Sequence, residues 1–360
     1  MRRISLEQIQ QGMFIARTVY GSGGQMLLKV GAEVKPHYAK YLRRLGINYI
    51  YVQDSRLIDV EVDDVIADET RLEARTLVKD IMEETCRNHL RSKSLFINDE
   101  KIARTITKII EELFNSSDVM VNLVDIRSMD DYTFAHSVNT CVLSTLTAAK
   151  LKYSVSQMKK IAVGCLLHDL GNVAIPGAIL KKRGILTGEE YEVIKNHPTY
   201  GYEMFKRSSL FSSGAGAVIY EHHELQKGQG YPRGLKGDQI NLLAQVVTIA
   251  DVYDALTSDR PYRKAYQPHQ AVEMLSALGE DFFNLDILRT FLSLIAAYPI
   301  GTHVLLSSGE SGLVIGNTPG FPFRPKVRVL YEGESLAHHS SPYDVDLTET
   351  LDLVIMKVIN

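Results

Sequence analysis

The feature of this chain that is hardest to fold is an apolar stretch ending in two adjacent ionisable residues. Residues 164–172 read GCLLHDLGN, so Gly164 to Leu167 run directly into His168 and Asp169. Burying an imidazole beside a carboxylate is costly unless each finds compensation. The fold must therefore bring compensating groups to this point from elsewhere in the chain. Gly171, two residues on, reads as the stop of the helix that carries the pair.

Candidates for that compensation are spread through the middle of the chain. Of eleven histidines, five fall there in distinctive settings. His136 lies in DDYTFAHSVN, His168 in LLHDLGN, His197 ahead of Pro198, and His222 with His223 in IYEHHE. Asp251 follows in VVTIADVYDALTSDRPYR. Neutral imidazoles and carboxylates are good ligands for first-row transition metals. Ligands remote in sequence converge when their helices pack in a bundle. These seven side chains exceed the needs of one ion with an open position. They suit two divalent ions bridged by a carboxylate and a water. Asp169 is the natural bridge, and a bridging hydroxide is a nucleophile for phosphodiester hydrolysis. A single histidine on an apolar helix is usually a hydrogen-bonded core residue, and here it is the whole group that outweighs that reading. His37, His89, His269, His303, His338 and His339 lack such settings and are expected to be structural. Cys86, Cys141 and Cys165 are too few for a disulfide framework and read as reduced thiols, the last two as packing residues. No cysteine set has zinc-finger spacing.

The length, 360 residues, suggests more than one domain. Residues 1–60 read as a small α+β module. Phe14–Tyr20 is β-prone, Gly21-Ser22-Gly23-Gly24 a turn, and Gln25–Val30 its return strand. A helix over Pro36–Leu45, stopped by Gly46, and a strand over Ile47–Val52 complete it. Residues 61–118 read as two connecting helices, with Ile102, Ile106, Ile109, Ile110 and Leu113 on one face. Residues 119–299 read as a helical domain. Ser154 with Gln157 and Thr187 with Glu190 have capping-box spacing. Gly214–Tyr220 and Leu242–Ala250 read as buried helices, and Ala271–Ala297 as helices interrupted near Gly279. In 300–360, glycines and prolines punctuate β-prone runs at Val304–Leu306, Leu313–Ile315 and Lys326–Tyr331, which predicts a small β appendage. The class is mainly α, with small β-containing modules at both ends.

Net charge is −3, so no basic excess points to a nucleic acid polymer or an anionic membrane as partner. The opening MRRISLEQIQQGMFIART has no apolar core behind its basic residues, and no apolar run approaches about 18 residues. A cytoplasmic protein is expected.

The order His136, His168-Asp169, His197, His222-His223, Asp251 resembles the HD-GYP family of metal-dependent phosphodiesterases. The tripeptide that names the family stands here as Gly230-Tyr231-Pro232, and its downstream signature as ADVYDALTSDRPYR. The resemblance covers roughly residues 125–300, and the flanking segments also look like family extensions. It implies a helical HD-type catalytic domain, two metals with iron or manganese favoured, and hydrolysis of the cyclic dinucleotide cyclic di-GMP to pGpG or on to GMP. It carries over His136, His168, Asp169, His197, His222, His223 and Asp251 as ligands, with Asp169 and His168 at the catalytic centre. Family members that hold a third metal have a carboxylate one turn before the first histidine. Here that position is Tyr132, so two ions are expected. Arg260 and Arg263 match positions where the family sets cations against phosphate, a role suited to guanidinium. Tyr231 and Pro232 are expected to shape the pocket rim or a partner surface.

The sequence departs from the family at three places. The family reads HDxGK where this chain has Asn172. It reads HHERxDGxGYP where this chain has HHELQKGQGYP, with Leu225 for arginine and Lys227 for aspartate. On charge count alone, Lys227 is expected to restore the cation lost at Asn172. Two other functions stay open: a cyclic di-GMP receptor with little turnover, and an HD-type hydrolase for another nucleotide. A protein partner at the GYP loop or the N-terminal module also stays open. So does the choice between homodimerisation and packing in cis for the helices in 61–118.

Overall fold

A computed structural model describes residues 1–21, 25–45, 47–60, 64–89, 99–116, 120–121, 132–182, 184–210, 212–259, 263–333 and 338–359. The N-terminal module holds β1 (Arg2–Ser5), β2 (Met13–Phe14), β3 (Val19–Tyr20), β4 (Met26–Leu28), β5 (Glu33–Val34), α1 (Tyr38–Arg44) and β6 (Tyr49–Val52). Three antiparallel pairs form, β1 with β6, β2 with β5 and β3 with β4. The single strand expected over 14–20 is thus two. Between them Ile15 bridges Val52 and is fully buried. The expected turn at Ser22-Gly23-Gly24 and the helix stop at Gly46 lie outside the described residues.

The two connecting helices are α2 (Asp68–His89) and α3 (Asp99–Asn115). Ile102, Ile106, Ile109, Ile110 and Leu113 are all buried, and α3 packs on α2 and on helices of the middle domain. Burial of each such side chain is worth about 1.5–3 kcal/mol. The apolar face of α3 is therefore satisfied within the chain.

The middle domain is built from α4 (Tyr132–Lys150), α5 (Val155–Leu167), α6 (Gly177–Leu180), α7 (Gly188–Ile194), α8 (His197–Phe205), α9 (Ser213–Glu221), α10 (Leu242–Leu256), α11 (Pro268–Phe282) and α12 (Leu285–Ser293). At its centre α4 and α9 pack against both α5 and α10. Ser154 and Thr187 each form the expected capping box, and α11 is interrupted at Gly279. The helix that carries His168 ends earlier than expected. Leu167 is its last residue, His168 its C-cap, and Leu170–Ala174 continues as a 3-10 turn. Gly171 is needed there for a different reason. A Cβ on it would lie 1.9 Å from the carbonyl oxygen of His197, so only glycine lets this turn meet the start of α8.

The C-terminal sheet is β7 (His303–Leu306), β8 (Ser311–Gly316), β9 (Lys326–Tyr331), β10 (His338–Asp346) and β11 (Ile355–Val358). Its order is β10-β9-β8-β7-β11, antiparallel throughout. Three of these strands match the expected runs, while β10 and β11 are additional. The N-terminal module docks on this sheet. Arg328 grips Asp59 through two bonds of 2.7 and 2.8 Å, and Arg3 donates its backbone N–H to Gly301.

Candidate metal centre

Five helices deliver the imidazoles and carboxylates to one place. His136 projects from the first turns of α4, and His168 and Asp169 follow α5. His197 opens α8, His222 and His223 follow α9, and Asp251 sits inside α10. Placement at helix ends lets several donors meet without breaking a helix. His136, His168, His197, His222 and Asp251 are at most 5% exposed. Three overlapping groups have donor atoms within 4.8 Å of one another: His136 with His168 and Asp251, His168 with Asp169 and His222, and His197 with His222 and His223.

The two carboxylates each span two histidines. Asp169 sets Oδ2 3.6 Å from Nε2 of His168 and Oδ1 3.6 Å from Nε2 of His197. Asp251 sets Oδ1 2.9 Å from Nε2 of His136 and Oδ2 3.6 Å from Nδ1 of His223. A carboxylate divided in this way is the geometry a bridge between two cations requires.

The rings are held in one tautomer by the backbone. Nδ1 of His168 donates to the carbonyl of Cys165 at 2.7 Å, His197 to Ile194 at 2.8 Å, and His222 to Ile219 at 3.0 Å. A carbonyl only accepts, so Nδ1 carries the proton and Nε2 presents a lone pair. Burial pushes His197 and His222 below the ordinary histidine range and His223 down to about 3. Burial alone would raise Asp251, but the hydrogen bond with His136 and the neighbouring imidazoles hold it well below the usual carboxylate range. Asp169 is likewise opposed by burial and lowered by His168 and His197. His197, His222 and His223 thus offer neutral imidazoles beside the ionised carboxylates of Asp169 and Asp251, a donor set that fits divalent transition metals. Tyr132 begins α4, and its side chain lies outside the described residues.

A buried residue behind His136 escaped the sequence reading. Asp254 is fully buried and its Oδ2 lies 2.7 Å from Nδ1 of His136. Its signal was its spacing: at i+3 from Asp251 it shares that helix face.

The loop bearing Gly230, Tyr231 and Pro232 is pinned directly against the histidine pair. Glu224 accepts from the backbone N–H groups of Arg233 and Leu235, and Glu221 from the Arg233 side chain and the Asn241 backbone. Both glutamates are buried, and both were overlooked although they flank the pair in EHHE. A Cβ on Gly230 would lie 2.4 Å from the His223 carbonyl, which explains the first letter of GYP. The Tyr231 ring lies against His223, with centroids 4.7 Å apart.

The expected phosphate contacts fare differently. Arg260 lies outside the described residues. Arg263 directs its guanidinium to the carbonyls of Ala255, Leu256 and Lys264, closing the end of α10. Lys227 is exposed and ion-paired with Asp281 of α11. Asn172 lies in the 3-10 turn after Asp169. A cation that the sequence reading passed over lies at the rim. The Lys195 ammonium is 6.0 Å from the Tyr231 ring centroid and 4.9 Å from that of Tyr191, and it bonds Glu192 at 2.6 Å. Of the histidines expected to be structural, His269 stacks on Tyr298 and His303 meets Ser311.

Residues 119–284 match the family model described as an HD domain, and 303–360 that described as a KOW domain associated with HD domain. The chain is 28% identical to a cyclic di-GMP phosphodiesterase of Pseudomonas aeruginosa over 364 residues, 93% of this chain and 86% of that protein. It is 43% identical to the cyclic di-GMP phosphodiesterase response regulator RpfG of Xanthomonas campestris over 133 residues, 37% of this chain and 35% of that one. It is 36% identical to 3'3'-cGAMP-specific phosphodiesterase 1 of Vibrio cholerae over 169 residues, 46% of this chain and 38% of that one. The chain therefore spans most of the Pseudomonas protein and little more than a third of the other two. Among the described residues, no helix is long and apolar enough to cross a membrane.

Proposed function

We propose that the chain is an HD-domain phosphohydrolase of the HD-GYP family and that it hydrolyses cyclic di-GMP at the histidine–aspartate cluster. The observation that carries this reading is the meeting of buried Nε2 lone pairs with two carboxylates that each span two histidines. His136, His168, Asp169, His197, His222, His223 and Asp251 would hold two divalent ions, iron or manganese. Bound there, the ions supply Lewis-acid stabilisation of the phosphate and a nucleophile at neutral pH.

The residues around the donors do the rest. Asp169 joins the His168 side of the cluster to the His197 side through its two oxygens. The backbone carbonyls behind His168, His197 and His222 keep each ring from rotating, so the donor set is preorganised. Tyr231 walls the site beside His223 and offers a flat face to a purine. Lys195, at the same rim, meets a phosphate of the dinucleotide, and Asn172 adds amide donors close to Asp169. The dinucleotide is cut to pGpG and, on a second cut, to GMP. The N-terminal module and the pinned GYP loop are the surfaces proposed for protein partners, in a cytoplasmic setting.

Anaerobic incubation of Mn(II)- or Fe(II)-loaded full-length chain with cyclic di-GMP tests this reading. Release of pGpG supports it. Stoichiometric binding without product would sink the enzyme and leave a receptor. Selective consumption of another cyclic dinucleotide would correct the substrate.

A further inference from the structure

The polar structure of the metal centre extends well beyond its donors. Behind His136, Asp254 uses both oxygens: Oδ2 accepts from Nδ1 of His136 at 2.7 Å, and Oδ1 accepts from Nδ2 of Asn139 at 3.1 Å. Oδ1 of Asn139 accepts from Nη1 of Arg71 at 2.9 Å. Arg71 reaches Asp64 Oδ1 at 3.0 Å, and Asp64 Oδ2 accepts from Arg17 at 2.7 Å. Arg17 also donates to Asp68 at 2.9 Å. One unbroken chain of hydrogen bonds thus runs from the N-terminal module, through the start of α2, into α4 and α10.

The middle of this chain has little freedom. Asn139 and Asp254 are fully buried and Arg71 is 6% exposed. Arginine only donates, so it forces the carbonyl of the Asn139 amide toward itself and the NH2 group toward Asp254. That donor joins His136 and the Ser258 hydroxyl on the buried Asp254 carboxylate. Asp254 in turn accepts from Nδ1 of His136, which turns Nε2 toward the donor cluster, where it lies 2.9 Å from Oδ1 of Asp251. Arg71 is itself aimed by Asp64, a carboxylate it shares with Arg17. Nothing in the middle can turn without leaving a buried polar group unpaired.

We propose that Asp254 is the positioning residue for His136, and that the Asn139–Arg71–Asp64 chain makes metal affinity depend on how Arg17 docks the N-terminal module. The proposal rests on the metal reading of the cluster and adds a route by which the N-terminal module acts on it. A partner that displaced Arg17 from Asp64 would loosen Arg71, and through Asn139 the orientation of Asp254.

Mn(II) affinity of the full-length chain, measured by competition with a chelating fluorophore, tests it without reference to turnover. Asp254→Asn is expected to weaken Mn(II) binding about tenfold or more. Arg17→Ala, at a partly exposed position, is expected to weaken it severalfold with an unchanged far-ultraviolet spectrum, and Arg17→Lys to recover part of the loss. In the double variant, Arg17→Ala should add little to Asp254→Asn, because both act through one chain. Wild-type affinity in Asp254→Asn would overturn the positioning role. An Arg17→Ala affinity within twofold of wild type, or effects that simply multiply, would overturn the coupling. If wild type itself bound no Mn(II), the metal reading would fail, an outcome distinct from both.

Discussion

The Nε2 atoms of His197 and His222 face one another at 3.2 Å, while each ring already commits its Nδ1 proton to a carbonyl three residues earlier. Two lone pairs at that separation repel unless a cation lies against both. Burial, which pushes both rings below the ordinary histidine range, opposes protonation as the remedy. A divalent ion removes the conflict. Stripping metal should therefore lower the thermal midpoint of unfolding, and returning Mn(II) should restore it. With free metal at a hundred times Kd the gain is about 2.7 kcal/mol. Differential scanning fluorimetry with and without chelator reads it, and coincident curves would count against metal binding at this pair.

Gly171 and the carbonyl of His197 leave no room for a side chain between them. Gly171→Ala should force the turn after Asp169 away from α8, costing about 1–3 kcal/mol and separating Asp169 from His197. Gly188→Ala, where a Cβ meets nothing within 4 Å, should be close to neutral. Urea denaturation of the two variants makes the comparison, and equal midpoints would contradict the close approach.

Lys195 and Lys227 are each ion-paired, with Glu192 and Asp281, and Lys195 also faces two tyrosine rings. Lys195 stands over Tyr231 at the rim, and Lys227 is held by Asp281. Lys195→Ala should raise KM for cyclic di-GMP about tenfold with a smaller change in kcat. Lys227→Asp should leave both nearly unchanged. Steady-state kinetics would reverse these assignments if Lys227→Asp proved the more damaging.

The metal donors were legible in the chain because each stands in a local pattern that ordinary core packing does not need. His168-Asp169 closes an apolar helix, and His222-His223 sits between two acids. What escaped was chemistry that becomes visible only across the fold. Arg71 reads as one charge in a solvated connecting helix, and Asn139 as an unremarkable polar residue on α4. Neither betrays that packing of α2 and α10 on α4 aligns them with Asp254. Strand β10 escaped for another reason. HHSSPYDVD is polar and interrupted by Pro342, a composition that suits the edge position it takes.

His303 links acid sensitivity to the junction between the terminal modules. Burial, with Arg2 and Arg56 nearby, pushes it down to about 4 from 6.5. Between those values the unfolded chain binds a proton that the folded chain refuses. This contribution is fully present above about pH 6.5 and is lost as the pH falls toward 4. His303→Gln should lower the slope of unfolding free energy against pH in that window by up to about one proton. Denaturant titrations from pH 4 to 7 measure it, and an unchanged slope would contradict the burial of a neutral ring.

Metal content and turnover, read on one preparation, bear most directly on the central claim. The full-length chain purified anaerobically should carry two divalent ions and convert cyclic di-GMP to pGpG, and Asp169→Ala should lose both metal and activity. An Asp169→Ala variant with unchanged metal content and turnover, or a wild type that hydrolyses cyclic di-GMP after complete removal of metal, would contradict the account.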